Sequence, residues 1–161
     1  MSGYMDEPIS TSIPNFTWAE VCDKDSHGVR LTDRFWKHMA LLQELRDWWD
    51  APLTVTSGYR TVRYGMALYQ RQDQDLKAPP AYSRAQRSQH RLMLDGAGAF
   101  ATDIVPSLAS PKINTVGSTH PAHAAIDMCR SKARELGFTG IGRYAWGLHL
   151  DLRGTPAEWE G

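Results

Sequence analysis

Three short stretches carry the residue types that could do chemistry: Ser88-Gln89-His90, Ala101-Thr102-Asp103-Ile104 and Leu148-His149-Leu150-Asp151-Leu152-Arg153. Together they offer two histidines and a carboxylate, a set that could hold one zinc ion and leave a fourth position for water. Such an ion keeps a net positive charge, lowers the pKa of a bound water to roughly 7 and polarises a carbonyl beside it. A nearby carboxylate would then take the water proton and hand it to a leaving amine. The third stretch alternates apolar and polar residues with a period of two, so it reads as a half-buried strand. Leu148, Leu150 and Leu152 would face the core, while His149, Asp151 and Arg153 would share the opposite face. That puts Asp151 within reach of the proton-transfer task. The other reading of Asp151 is that it pairs with Arg153, or orients a histidine through a hydrogen bond.

The elements that must position these residues are legible in part. Phe35, Met39, Leu42 and Trp49 recur at helical spacing, with Leu41, Leu45 and Trp48 widening the stripe. A helix therefore runs from Thr32 or Asp33 to about Trp49, ended by Pro52. Trp36, Trp48 and Trp49 lie on that helix and read as core. Leu53-Thr54-Val55-Thr56 is rich in branched residues and reads as a strand, broken at Ser57-Gly58. Gln70 to Arg87 is polar and aperiodic, and residues 70–100 are expected to form a mobile flap over a groove. Phe100 to Val105 is a further strand, and residues 107–119 are a loop. A second long helix covers about 120–136, with Ile126, Cys129, Ala133 and Leu136 on one side and Gly137 as its stop. Phe138 to Tyr144 and Trp146 to Arg153 form two more strands, adjacent and antiparallel. The fold class is α+β, a small antiparallel sheet with flanking helices. Residues 1–15 read as an irregular arm and residues 16–161 as one domain.

Composition narrows the function classes. At 161 residues the chain fits one core, and 18 basic residues balance 18 acidic ones. A nucleic-acid partner would call for a basic excess, which is missing. No apolar run approaches the roughly 20 residues that span a bilayer. The N-terminal stretch is polar and acidic, unlike a signal peptide, so the chain is expected to be made in the cytoplasm. Cys22 and Cys129 are far apart and outside any CxxC, and they read as reduced and structural. His120 and His123 form an H-x-x-H without a partner acid at suitable spacing and read as surface residues.

The ordered series Ser57-Gly58-Tyr59-Arg60, Ser88-x-His90, Ala101-x-Asp103, Gly140-Ile141-Gly142-x-Tyr144 and His149-x-Asp151-x-Arg153-Gly154 resembles the M15 peptidases. These are zinc D-Ala-D-Ala carboxypeptidases and peptidoglycan endopeptidases that share a fold with the hedgehog signalling domain. The branch it resembles is the small one with a His-x-Asp final strand, and the resemblance runs from about Phe16 to Gly154. It implies zinc ligands at His90, Asp103 and His149. It implies that Arg60 acts on substrate by binding a carboxylate or carbonyl, for which a guanidinium fork is suited. Tyr59 and Ser88, within those motifs, and Trp146, next to the site, are expected to meet the substrate, and the general-base role falls to Asp151 or is vacant. Three features depart from the family pattern. His90 and Asp103 stand thirteen residues apart where the family motif is H-x-x-G-x-A-x-D, the extra residues falling in 91–100. Trp146 occupies the position where many members carry the base, and Val62-Arg63-Tyr64-Gly65 replaces a His-Asn pair.

The function implied is a zinc peptidase acting on peptidoglycan stem peptides or cross-links, as a phage or prophage lysin. Release through a membrane lesion, or carriage in a virion beside other virion proteins, would bring it to the wall. From a different class, the chain could be a non-catalytic virion or tail module that keeps the fold. A cytoplasmic peptidase for small D-amino-acid peptides is the third reading.

Overall fold

A computed structural model describes residues 5–25, 28–29, 31–72, 88–90, 100–115, 117 and 119–161. Two long helices carry the apolar face of the core. The first, α2 (Asp33–Trp49), follows the one-turn helix α1 (Trp18–Val21) and is capped by Thr32, whose hydroxyl accepts from the Phe35 amide at 3.1 Å. Its end is set by Asp50 in the left-handed conformation. Phe35, Met39, Leu42, Leu45 and Trp49 are fully buried, as the periodicity required, and Leu41 and Trp48 pack partly against them. Each such burial is worth about 1.5–3 kcal/mol. Trp36 departs from expectation: it is 40% exposed, lying beside the stripe and meeting Trp18 and Phe35 edge-on. The second long helix, α4 (Pro121–Leu136), stops where Gly137 turns left-handed at φ 108°. Its Ala125, Ile126, Cys129 and Ala133 complete the core. Between the two long helices lies α3 (Val62–Gln72), which reaches into the stretch expected to be loop from residue 70.

Strands β3 (Leu53–Ser57), β4 (Ala101–Pro106), β5 (Gly140–Arg143), β6 (Leu148–Asp151) and β7 (Ala157–Glu160) form one sheet in the order β3-β4-β6-β5-β7. The α+β architecture is as expected, with one correction to the sheet. It is mixed, because β7 joins the edge parallel to β5 while every other pairing is antiparallel. Ala157-Glu158-Trp159-Glu160 alternates apolar and polar residues over four positions only, the shortest run that reads as a strand. The short segment is held from outside by Arg130 and Arg134 on α4, which pair with Glu158, and by Arg130 with Glu160. These bonds keep the Glu158 carboxyl at a pKa of about 2. A second difference lies at the N-terminus. Residues expected in an irregular arm form a hairpin, β1 (Pro8–Ser10) with β2 (Ile13–Thr17). The hairpin is held because Ile9, Ile13 and Phe16 are buried in the main core. In the loop expected over 107–119, Pro111–Thr115 makes a short 3-10 helix.

The helices cover one face of the sheet, where Ile104, Ile141, Leu148 and Leu150 point. Strand β6 is buried on both faces instead of the half-burial its alternation suggested, because it is the middle strand and the site closes over its polar side. Among the described residues, no helix is long and apolar enough to cross a membrane. Cys22 and Cys129 are both free and buried.

Candidate metal centre

The strand register assembles the polar face. Ser57 pairs with Asp103, Asp103 with His149, His149 with Gly142, and Gly142 with Trp159. Each strand thus contributes one residue to a single row across the sheet, and side chains in such a row stand on the same face. In the next row, Asp151 lies between Ala101 and Gly140. A Cβ on Gly140 would run into the Asp151 carboxylate, and one on Gly142 would lie 2.5 Å from the Trp159 indole.

His90 enters from the segment before β4 and completes the group. One nitrogen each from His90 and His149 and one Asp103 oxygen lie within 4.8 Å of one another, and all three residues are buried. Asp103 Oδ1 is 2.9 Å from His149 Nδ1 and 3.4 Å from His90 Nε2. The remaining atom of each donor is engaged elsewhere. His90 Nδ1 donates to the Gly58 carbonyl at 2.6 Å, which leaves Nε2 as the free lone pair. His149 Nε2 bonds Asp151 Oδ2 at 2.8 Å, and Asp103 Oδ2 accepts from Arg60 Nη2 at 2.7 Å. Metal-binding imidazoles commonly donate their second N–H to a carbonyl or carboxylate in this way, which sets tautomer and ring orientation. Two imidazole nitrogens and one carboxylate oxygen fit zinc, and the cluster is compatible with a zinc site.

Charge follows from the neighbours. Burial would raise the Asp103 pKa, but His90 and His149 more than offset it and hold the carboxyl well below the usual range. Burial lowers the His90 pKa, and the Asp103 charge only partly counters that. For His149 burial also acts downward, yet hydrogen bonds to Asp103 and Asp151 win and the pKa is raised. Asp151 sits deep but is held far below its usual value by Arg153 and His149.

The predicted site residues fall into two groups. His90, Asp103, His149, Arg60, Ser88 and Trp146 border one groove of about 890 Å³. Trp146 stands at its rim, 47% exposed and stacked on Tyr144 at 5.1 Å. Ser88 accepts a bond from the His90 amide at 3.3 Å. Asp151 and Tyr59 are placed differently from expectation. Asp151 is fully buried behind His149, gripped by Arg153 through Nε at 2.9 Å and Nη2 at 2.6 Å, and does not border the groove. Tyr59 packs against the core, its amide bonded to the Val21 carbonyl at 2.8 Å, and also stays clear of the groove. The expected surface position of His120 and His123 is as found. The insertion at 91–99 and residues 73–87 of the expected flap lie outside the described residues.

Ser57 was named only within its motif, and Tyr69 and Trp159 were not singled out from the sequence. Ser57 accepts from Arg60 Nε at 2.8 Å, and Tyr69 accepts from Arg60 Nη1 at 3.4 Å. Trp159 lies 5.3 Å from the His149 ring. An aromatic between two glutamates, Glu158 and Glu160, was the available signal for Trp159.

The Peptidase M15 family matches residues 14–67, about a third of the chain. No curated protein and no solved structure matches. The matched stretch includes Gly58 and Arg60, the groups that hold His90 and Asp103 from behind, while the three donor residues follow it in the chain. The match over residues 14–67 and the His–Asp–His cluster that follows it, compatible with a zinc site, bear out the resemblance to the M15 peptidases read from the sequence.

Proposed function

We propose that the protein is a zinc-dependent peptidase that hydrolyses peptide bonds of bacterial peptidoglycan, in stem peptides or cross-links, in the role of a phage or prophage lysin. The observation that carries this reading is the convergence of His90, Asp103 and His149 donor atoms at the floor of an open groove. A zinc ion held there supplies a Lewis acid and an acidified water.

The chain's own residues do the rest. Arg60 holds Oδ2 of Asp103, so that Oδ1 is presented to the cluster, and its guanidinium is already engaged by three protein acceptors. Its role is therefore to position the ligand in place of gripping a substrate carboxylate directly. Asp151 likewise orients His149 and neutralises its charge, since its burial and its bonds to Arg153 keep it from the groove. Ser88 and the Trp146 face border the path a peptide would take. The partner is a wall peptide, reached at the cell wall after release or from a virion, with neither nucleic-acid binding nor membrane insertion required.

A second reading, a virion or tail module without turnover, is favoured by one observation. Among the described residues bordering the groove, Asp103 is the only carboxylate, and the position three before His149 is Trp146. One experiment separates the two. Purified protein is assayed for metal content and for clearing of wall suspensions, with and without chelator. The peptidase reading expects about one zinc per chain and clearing that chelator and His149→Ala both abolish. Zinc-replete protein that binds wall fragments and cleaves none supports the second reading, and clearing indifferent to chelator and to His149→Ala removes the first.

A further inference from the structure

Beneath and beside His149 lies a layered arrangement that the peptide-cleavage reading does not require. Strand β5 presents Gly140 and Gly142 to the site face, leaving a trough without side chains. The Asp151–Arg153 couple lies over Gly140, with the Arg153 Nε and Nη2 groups forked onto the two carboxylate oxygens. The Trp159 ring lies over Gly142, and the Arg153 guanidinium sits 4.6 Å from the ring centroid. The indole is itself fixed, because its Nε1–H donates to the Tyr144 hydroxyl at 2.8 Å. A guanidinium over an indole face is attracted by the ring quadrupole while its edge stays free for hydrogen bonds. The stack therefore leaves the fork available to Asp151, and Asp151 in turn bonds His149 Nε2.

We infer that Trp159, on β7, is a positioning residue for the metal centre. Its ring holds Arg153 against Asp151, and through Asp151 it fixes which nitrogen of His149 faces Asp103 and His90. The inference rests on the metal-centre reading given above, with the carboxy-terminal strand added as the part that completes it. Trp159 also borders the groove and lies 5.3 Å from the His149 ring, and in this role it acts on the orientation of the imidazole. Its effect travels along three contacts: indole to guanidinium, guanidinium to carboxylate, carboxylate to imidazole.

The test compares Trp159→Leu with Trp159→Phe and Tyr144→Phe in the full chain, each first shown to be folded by its melting transition. Two quantities are read. Zinc affinity comes from competition with a chromophoric chelator, and the tautomer of metal-free His149 comes from long-range nitrogen–proton NMR at a pH where the ring is neutral. Trp159→Leu is expected to weaken zinc about 3- to 10-fold and to raise the share of the Nδ1–H tautomer. Trp159→Phe, which keeps an aromatic face, should recover most of both, with Tyr144→Phe between it and the parent. If folded Trp159→Leu matches the parent in tautomer and in zinc affinity, the inference is overturned. A parent that binds no zinc defeats the metal-centre reading, while the tautomer measurement still decides for or against Trp159.

Discussion

His38 and His149 are both buried histidines, set on opposite faces of the same sheet, and they behave in opposite ways. His38, on α2, bonds Thr102 at 2.8 Å and packs its ring against Phe100 and Phe138. Among the described residues its buried Nδ1 has no partner, and burial pushes its pKa down to about 3. Across the sheet, His149 meets a carboxylate at each nitrogen and its pKa is raised. Burial is similar; the company differs. An imidazole surrounded by aromatic rings stays neutral and structural, whereas one flanked by carboxylates can hold charge or surrender a lone pair to a cation.

That contrast can be broken from either side. Replacing His149 or Asp103 by alanine removes a donor and should weaken zinc binding by more than about 100-fold, read by chelator competition. Leu150→Ala, one residue away but on the helix face, should cost about 2–5 kcal/mol in denaturant unfolding and leave zinc affinity of the folded protein near that of the parent. Asp151→Asn keeps the shape and removes the charge behind His149. A loss of about 10- to 100-fold in zinc affinity is expected, since such supporting carboxylates are worth that much.

The smallest effect sharpens the helix side. Neutral His38 contributes stability fully above pH 6.5, where the unfolded ring is also neutral. As pH falls toward about 3 the unfolded chain takes up a proton that the folded one refuses, so that stability is lost. His38→Leu should flatten the acid limb of a stability–pH curve by up to about 1.4 kcal/mol per pH unit, measured by urea midpoints between pH 7 and pH 4.5. An unchanged slope would mean that the site-face carboxylates alone carry it.

How far the sequence went depended on whether neighbours in space were neighbours in the chain. Period-two alternation in 148–153 placed His149 and Asp151 on one face, and helical periodicity placed α2 and α4 with their ends. Alternation assigns a face but says nothing of what stands opposite. Asp151 was therefore read toward solvent chemistry, whereas Arg153 and the small residues Ala101 and Gly140 draw it under the sheet surface. Of the partners of Arg60, Ser57 on β3 and Tyr69 on α3 are near it in the chain, while Asp103 on β4 lies 43 residues away. Strand β7 was missed because its alternation of Ala157 and Trp159 with Glu158 and Glu160 spans only four residues. Its stability comes from α4 arginines more than twenty residues away.

The glycines of β5 have a consequence for how this centre could be altered. A methyl group at residue 140 would displace the carboxylate that props the imidazole, and one at 142 would lift the indole. The floor of the site is thus defined by matter left out. Alanine at either position, the mildest change available to a glycine, would reshape the centre from below without touching a single donor atom.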